Sequence, residues 1–129
     1  MEAAALPHKI RVLIADDHRL FAEALEAILA TDDRFEVVGK AHDGEQAIRL
    51  AGARKPDVVL MDIAMPKVDG VEATRRIRKR RKATSVLMLT GSNARGDVDR
   101  ARKAGAGAYV TKDRIASHLI EAIVELAAG

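Results

Sequence analysis

Asp57-Val58-Val59-Leu60-Met61-Asp62 runs directly into Ile63-Ala64-Met65-Pro66-Lys67-Val68-Asp69-Gly70, and how this stretch is read decides the fold. Val58 to Met61 are consecutive apolar residues, and both valines are β-branched. So short and unbroken a run predicts a strand buried on both faces, as the centre of a parallel sheet requires. Asp62 ends the run, and Pro66 and Gly70 punctuate the residues after it, so the carboxylate falls where strand becomes loop. In open α/β sheets, ligands bind just outside the carboxyl ends of the strands. A lone acid there can equally do no more than cap the next turn, so the rest of the chain has to decide.

Working outward, one pattern repeats. Upstream, residues 9–15 read as a buried first strand, ended by Asp16-Asp17. From His18 a helix is expected, with Leu20, Phe21, Ala24, Leu25, Ile28 and Leu29 recurring on one face. Residues 35–41 read as a second, more exposed strand. Residues 44–53 supply a short helix with Ala47, Ile48 and Ala51 inward, stopped by Lys55-Pro56. Downstream come a helix over 71–78, a strand over 85–90 broken by Gly91, and a helix over roughly 95–104. The apolar face of that helix is poor, chiefly Val98 and Ala101. Residues 108–111 read as a fifth strand, and a last helix over about 115–126 turns Ile115, Leu119, Ile120, Ile123 and Leu126 inward. Five strands alternating with five helices argue for βαβ units and a parallel sheet covered on both faces. Right-handed crossovers then make a doubly wound α/β fold the expectation.

Composition narrows the classes. A chain of 129 residues is expected to form one domain. Its only aromatic residues are Phe21, Phe35 and Tyr109, so the core must be aliphatic and alanine-rich. Without cysteine there is no disulfide framework, thiolate metal site or cysteine nucleophile. Residues 1–8 read as a flexible tail without the apolar region of a signal peptide, and no apolar run approaches the ~20 residues of a membrane span. A soluble cytoplasmic protein is the default expectation. The net charge of +3 is not spread evenly: residues 75–82 hold seven Lys/Arg, and the remainder carries −4. Such a block can meet nucleic acid or an acidic partner, but no aromatic residues interleave for base stacking, and cations also favour a helix C-terminus.

The polar residues at the strand ends then fall together. Asp16-Asp17 follow strand one, Asp62 ends strand three, Thr90 ends strand four, and Thr111-Lys112 close strand five. A doubly wound sheet opens all of these onto one edge. Three clustered carboxylates carry about −3, which is costly without cations. A divalent ion and the Lys112 ammonium together supply the matching positive charge, and an all-oxygen ligand set suits Mg²⁺. These are also the parts for phosphoryl transfer to a carboxylate: Asp62 as nucleophile, metal and Lys112 offsetting charge, and the Thr90 hydroxyl as a donor to a phosphoryl oxygen.

The ordered set Asp16-Asp17, Asp62, Met65-Pro66 with Asp69-Gly70, Thr90-Gly91, Tyr109 and Lys112 resembles the receiver domains of two-component response regulators, from about residue 9 to 127. The resemblance implies a flavodoxin-like sheet of strand order 2-1-3-4-5. It implies that Asp62 accepts a phosphoryl group from a sensor histidine kinase. Asp17 and Asp62 would ligate Mg²⁺ with the Ala64 backbone carbonyl, and Asp16 would act mainly through a bound water. Thr90 and Lys112 would hold the phosphoryl oxygens. Tyr109 would rotate inward as Thr90 moves, changing the surface of helix four, strand five and helix five, where a homodimer or partner contact is expected. The faces of helices one and five are the alternative dimer surface. Asp16-Asp17-His18 and Lys112-Asp113 look like the receivers joined to a LuxR-type helix-turn-helix domain. No such output domain lies within the chain, so DNA binding is expected only through one absent from it, and a stand-alone receiver is the alternative.

Two other readings stay open on the residues. A metal-dependent phosphatase with an aspartyl nucleophile would want a second acid two residues beyond Asp62, where Ala64 stands. A phosphorylation-independent protein-binding module would be expected to lack one of the acids or the lysine, and all are present. No P-loop motif occurs. His18, His42 and His118 have no metal-like spacing, and Gly105-Ala106-Gly107 is only a fragment of a dinucleotide loop.

Overall fold

The computed structural model describes residues 8–91 and 95–128. Strands and helices alternate along it: β1 (Ile10–Ala15), α1 (Arg19–Ala30), β2 (Phe35–Ala41), α2 (Gly44–Arg54), β3 (Val58–Asp62), α3 (Gly70–Arg80), β4 (Ser85–Thr90), α4 (Arg95–Ala104), β5 (Ala108–Thr111), a 3₁₀ turn (Lys112–Arg114) and α5 (Ile115–Ala128). The strands form one parallel sheet in the order β2-β1-β3-β4-β5. The chain enters at β1, steps outward to β2, returns past β1 to β3, and then moves outward through β4 to β5. With right-handed crossovers that reversal puts helices on both faces.

Each strand divides its side chains between two cores, as a pleat of period two dictates. Val12, Ile14, Val58, Leu60, Leu87 and Leu89 meet Ala22, Leu25 and Leu29 of α1 and Ile115, Leu119 and Ile123 of α5. Leu13, Val59, Met61, Val86 and Met88 point the other way, onto Ala47 and Ala51 of α2, Ala73 and Ile77 of α3, and Ala101 of α4. The helices on this second face offer mostly alanine. They can therefore lie close to the sheet, and the long strand side chains fill the space between. β3 is buried along its whole length, as its unbroken apolar run predicts.

The face of α1 differs from expectation. Leu20 is 82% exposed and Ala24 is exposed, while Ala22 is buried. At about 100° per residue, Phe21, Ala22, Leu25, Ile28 and Leu29 share an arc centred near Leu25, and Leu20 lies roughly 140° away from it. Ile48, Ile120 and Leu126 pack against the cores only in part. α3 begins at Gly70, one residue earlier than predicted, because Asp69 caps it by accepting from the Glu72 amide. The expected tail, residues 1–8, lies outside the described residues except for His8.

The basic block ends α3 and the turn after it. Glu72 pairs with Arg75 and Arg76, and Arg78 donates to the carbonyls of Lys82 and Thr84. Arg78, Lys79 and Arg80 occupy the last helical turn, where the helix dipole favours cations.

Two glycines bring α2 and α3 against the backbone of the β3–α3 loop. A Cβ on Gly44 would lie 1.8 Å from the Val68 carbonyl oxygen, and one on Gly70 would lie 2.1 Å from that of Asp62. Both neighbours are backbone and cannot step aside. Gly44→Ala and Gly70→Ala are each expected to destabilise the fold by about 3 kcal/mol or more. Gly52→Ala, whose Cβ meets nothing within 4 Å in the exposed part of α2, is expected to stabilise by up to about 1 kcal/mol. Urea denaturation of the three variants measures the contrast.

Candidate functional site

The strand order reverses between β1 and β3, and the crevice at such a switch point is where open α/β sheets bind ligands. Register fixes what stands there. Ala15 pairs with Met61, so the next residues along, Asp16 and Asp62, end neighbouring strands side by side. Asp62 pairs with Leu89, and Thr90 pairs with Thr111, which places Thr90 on the far side of Asp62 and Lys112 just past β5. The edge thus gathers Asp16, Asp17, Asp62, Thr90 and Lys112, as the sequence predicts.

Asp16 is fully buried and Asp62 is 3% exposed, while Asp17 is exposed. Asp16 Oδ1 accepts from the His18 amide at 2.8 Å, and Asp62 Oδ1 from the Ala64 amide at 3.4 Å. Asp16 Oδ2 and Asp62 Oδ2 are buried and accept no hydrogen bond. Lys112 reaches over the edge to both acids, with Nζ 3.3 Å from Asp16 Oδ2 and 3.6 Å from Asp62 Oδ1. One ammonium therefore faces two buried carboxylates. Burial first, and the Asp16 charge second, push the Asp62 carboxyl up to about 6, against the opposing pull of Lys112 and the Ala64 amide.

Ligand atoms of Asp16, Asp17, His18 and Asp62 all lie within 4.8 Å of one another. The oxygens are hard donors, and the two buried ones accept no hydrogen bond among the described residues, so this set fits a small divalent cation such as Mg²⁺. The loop that carries the edge is held from two sides. Asp43 caps α2 through the Gln46 amide and lies 3.6 Å from Lys67 Nζ, while the Gly70 amide donates back to the Ile63 carbonyl. Lys67 takes a left-handed backbone (φ 67°), which turns the loop after Pro66.

Thr90 is fully buried at the end of β4. Tyr109 stands apart from the acids, two residues before Thr111 on β5. It is 46% exposed and borders a groove with Val98, Ala101 and Ala106. Two neighbours of the site escape a reading of the sequence alone. His18 Nδ1 lies 3.3 Å from Asp16 Oδ1 and 3.4 Å from Asp17 Oδ1, although 69% of the side chain is exposed. Its position directly after the acid pair is a signal that histidine spacing does not carry. Phe21 places its ring beneath Lys112, and no local motif announces that contact.

The raised Asp62 value makes folding pH-dependent with a definite sign. The folded state holds this proton up to about pH 6, whereas the unfolded chain releases it near 3.8. The associated stability is complete below the unfolded value and is lost as pH rises through the folded one. In metal-free buffer near pH 8, Asp62→Asn is expected to be about 2–3 kcal/mol more stable than wild type. The gap should close as pH falls from 6 to 4, which denaturation curves at several pH values will measure.

Comparison with known proteins assigns the fold to a family. The family model of the response regulator receiver domain matches residues 12–124. The transcriptional regulatory protein DegU of Brevibacillus brevis is 45% identical over 122 residues, covering 95% of this chain and 52% of its own length. Among solved structures, the signal receiver domain of NarL from Mycobacterium tuberculosis superposes with a TM-score of 0.91 at 34% identity, over 95% of this chain and 99% of that one. A LuxR-family two-component response regulator from Aurantimonas gives a TM-score of 0.89 at 34% identity, over 94% and 86%. The chain spans about half the length of the curated relatives it matches. It belongs to the response regulator receiver domains of two-component signalling, and its relatives are transcriptional regulators.

Proposed function

We propose that Asp62 is the phosphoacceptor of a two-component relay and that the domain acts as a Mg²⁺-dependent switch rather than a turnover enzyme. The observation that carries this reading is the buried Asp16–Asp62 pair, each within ion-pair distance of the single ammonium of Lys112. In the transfer, an Asp62 carboxylate oxygen forms a P–O bond as the P–N bond to a phosphohistidine of a sensor kinase breaks. The imidazole leaves with the bonding pair and the acyl phosphate remains. A Mg²⁺ ion would supply two positive charges beside the phosphoryl oxygens. Asp17, Asp62 and the Ala64 carbonyl would hold it directly, and Asp16 through water. Lys112 then has a phosphoryl oxygen to pair with in place of the Asp62 carboxylate, and the Thr90 hydroxyl donates to another.

The switch arises from differential contact. Only the phosphorylated state gives Thr90 and Lys112 a phosphoryl oxygen to hold, so that state is favoured by those contacts alone. As Thr90 shifts, Tyr109 leaves its exposed place and fills the space behind it, changing the face of α4, β5 and α5. Among the described residues, α4 contributes only Ala101 and Ala104 to the buried set, so little packing opposes its movement. We read the output as transcriptional, with the changed face forming a homodimer and DNA bound through a helix-turn-helix domain outside this chain. The names of the relatives, a transcriptional regulatory protein and a LuxR-family response regulator, support the transcriptional part of this reading.

Incubation with acetyl phosphate and Mg²⁺ followed by intact mass measurement tests the acceptor. One added phosphoryl group is expected on wild type, and none on Asp62→Asn or without metal. An adduct of equal yield on Asp62→Asn would overturn the assignment.

A further inference from the structure

We propose that Phe21 is a positioning residue for phosphoryl transfer: its ring face holds the Lys112 ammonium over the two acids. This rests on the acceptor reading of Asp62 given above. Lys112 Nζ lies 4.5 Å from the centre of the Phe21 ring, well inside the ~6 Å reach of a cation–π contact. The same nitrogen lies 3.3 Å from Asp16 Oδ2 and 3.6 Å from Asp62 Oδ1. The ammonium thus has two carboxylates and one aromatic face as neighbours, while its side chain keeps 25% exposure.

A lysine in this place needs such a wall. Its four-carbon stem is flexible, its charge is strongly hydrated, and nothing about either acid fixes it to one rotamer. Neither carboxylate distance is that of a short, charge-assisted hydrogen bond, which would lie near 2.7–2.9 Å. The ammonium is placed by the summed field of its neighbours, and the ring is the only one of the three that carries no net charge. It can attract the lysine without competing for the cation that Asp16 and Asp62 need, and without hydrogen-bonding the protons that the phosphoryl oxygen will take. The ring is itself fixed. Phe21 is half-buried on α1 and packs its body against the core shared by α1 and α5. Lys112 comes directly after β5, so the contact ties the first helix to the last strand across the site. It is also the site's only aromatic contact with a cation among the described residues: the other such contact pairs Arg34 with Phe35.

A purely space-filling role for Phe21 makes a different prediction, and fluorination separates the two because it drains the ring's negative face while nearly keeping its shape. Mono-, di- and trifluorophenylalanine placed at position 21 alone should slow phosphorylation by acetyl phosphate stepwise, by about five- to thirty-fold at the end of the series, with the unfolding midpoint little changed. Phe21→Leu should slow wild type but not a Lys112→Met background. Independently of any phosphoryl transfer, the Lys112 ε-CH₂ protons should resonate upfield in wild type, because their carbon is bonded to the nitrogen that stands over the ring, and return to the ordinary position in Phe21→Leu. An ordinary ε-CH₂ shift in wild type, or a rate indifferent to fluorination, would overturn the proposal. If wild type takes up no phosphoryl group at all, the acceptor reading falls, and the proton shift still decides whether Phe21 holds the lysine.

Discussion

Two carboxylates of like charge, buried side by side at the ends of adjacent parallel strands, are the constraint on which the rest of this structure depends. The pairing of Ala15 with Met61 leaves Asp16 and Asp62 no freedom to separate. Burial removes the water that would screen them, and Asp62 answers with a carboxyl pushed up to about 6. Lys112 reaches both acids but offsets only one of their charges. A site built this way gains from any added cation. The proposed phosphoryl transfer answers the same need, since the group would arrive with a divalent ion and engage the lysine. The acidic edge therefore does more than caps would require, since a capping oxygen accepts from a helix amide, and Asp62 Oδ2 has no donor among the described residues.

The fold keeps that arrangement together with stiff contacts below and weak ones to one side. β3 is buried along its length, and its carboxyl end and the loop after it lie against α3 and α2 at positions where only glycine fits, Gly70 and Gly44. Asp43 and Asp69 each cap the helix that begins beside the loop. On the β4–β5 side the packing is thinner. α4 has small buried residues, and Tyr109 lies half open over the groove between α4 and β5. A rigid acidic edge beside a loosely packed face is the distribution of stability that the proposed switch needs, because local rearrangement draws on the least stable elements.

Much of this was legible in the sequence, for identifiable reasons. The strands announced themselves because parallel strands buried on both faces must be continuous apolar runs, and Val58 to Met61 or Val86 to Leu89 can hardly be anything else. The acids, Thr90 and Lys112 were found because they sit at the ends of those runs, and a doubly wound topology sends every strand's end to one edge. α1 was less readable. Leu20 fits an apolar pattern when residues are counted, yet the helix turns its Phe21, Ala22 and Leu25 side to the sheet and leaves Leu20 in water. Alanine is nearly silent in such patterns, so Ala22 could not correct the choice. α3 starts one residue before the sequence predicts, since Gly70 looks like a breaker until its close approach to Asp62 is seen. Contacts between elements distant in sequence, such as Phe21 with Lys112, leave no periodic trace and had to wait for the fold.

The most direct measurement is the titration of the Asp62 carboxyl by carbon NMR of aspartate-labelled protein, with and without Mg²⁺. A midpoint near 6 is expected without metal, with a shift to well below the ordinary aspartate range of about 4 when Mg²⁺ is bound. A midpoint near 4 that Mg²⁺ does not move would contradict that expectation. Such a result would mean that the acids at this edge are neither crowded by one another nor joined by a shared cation.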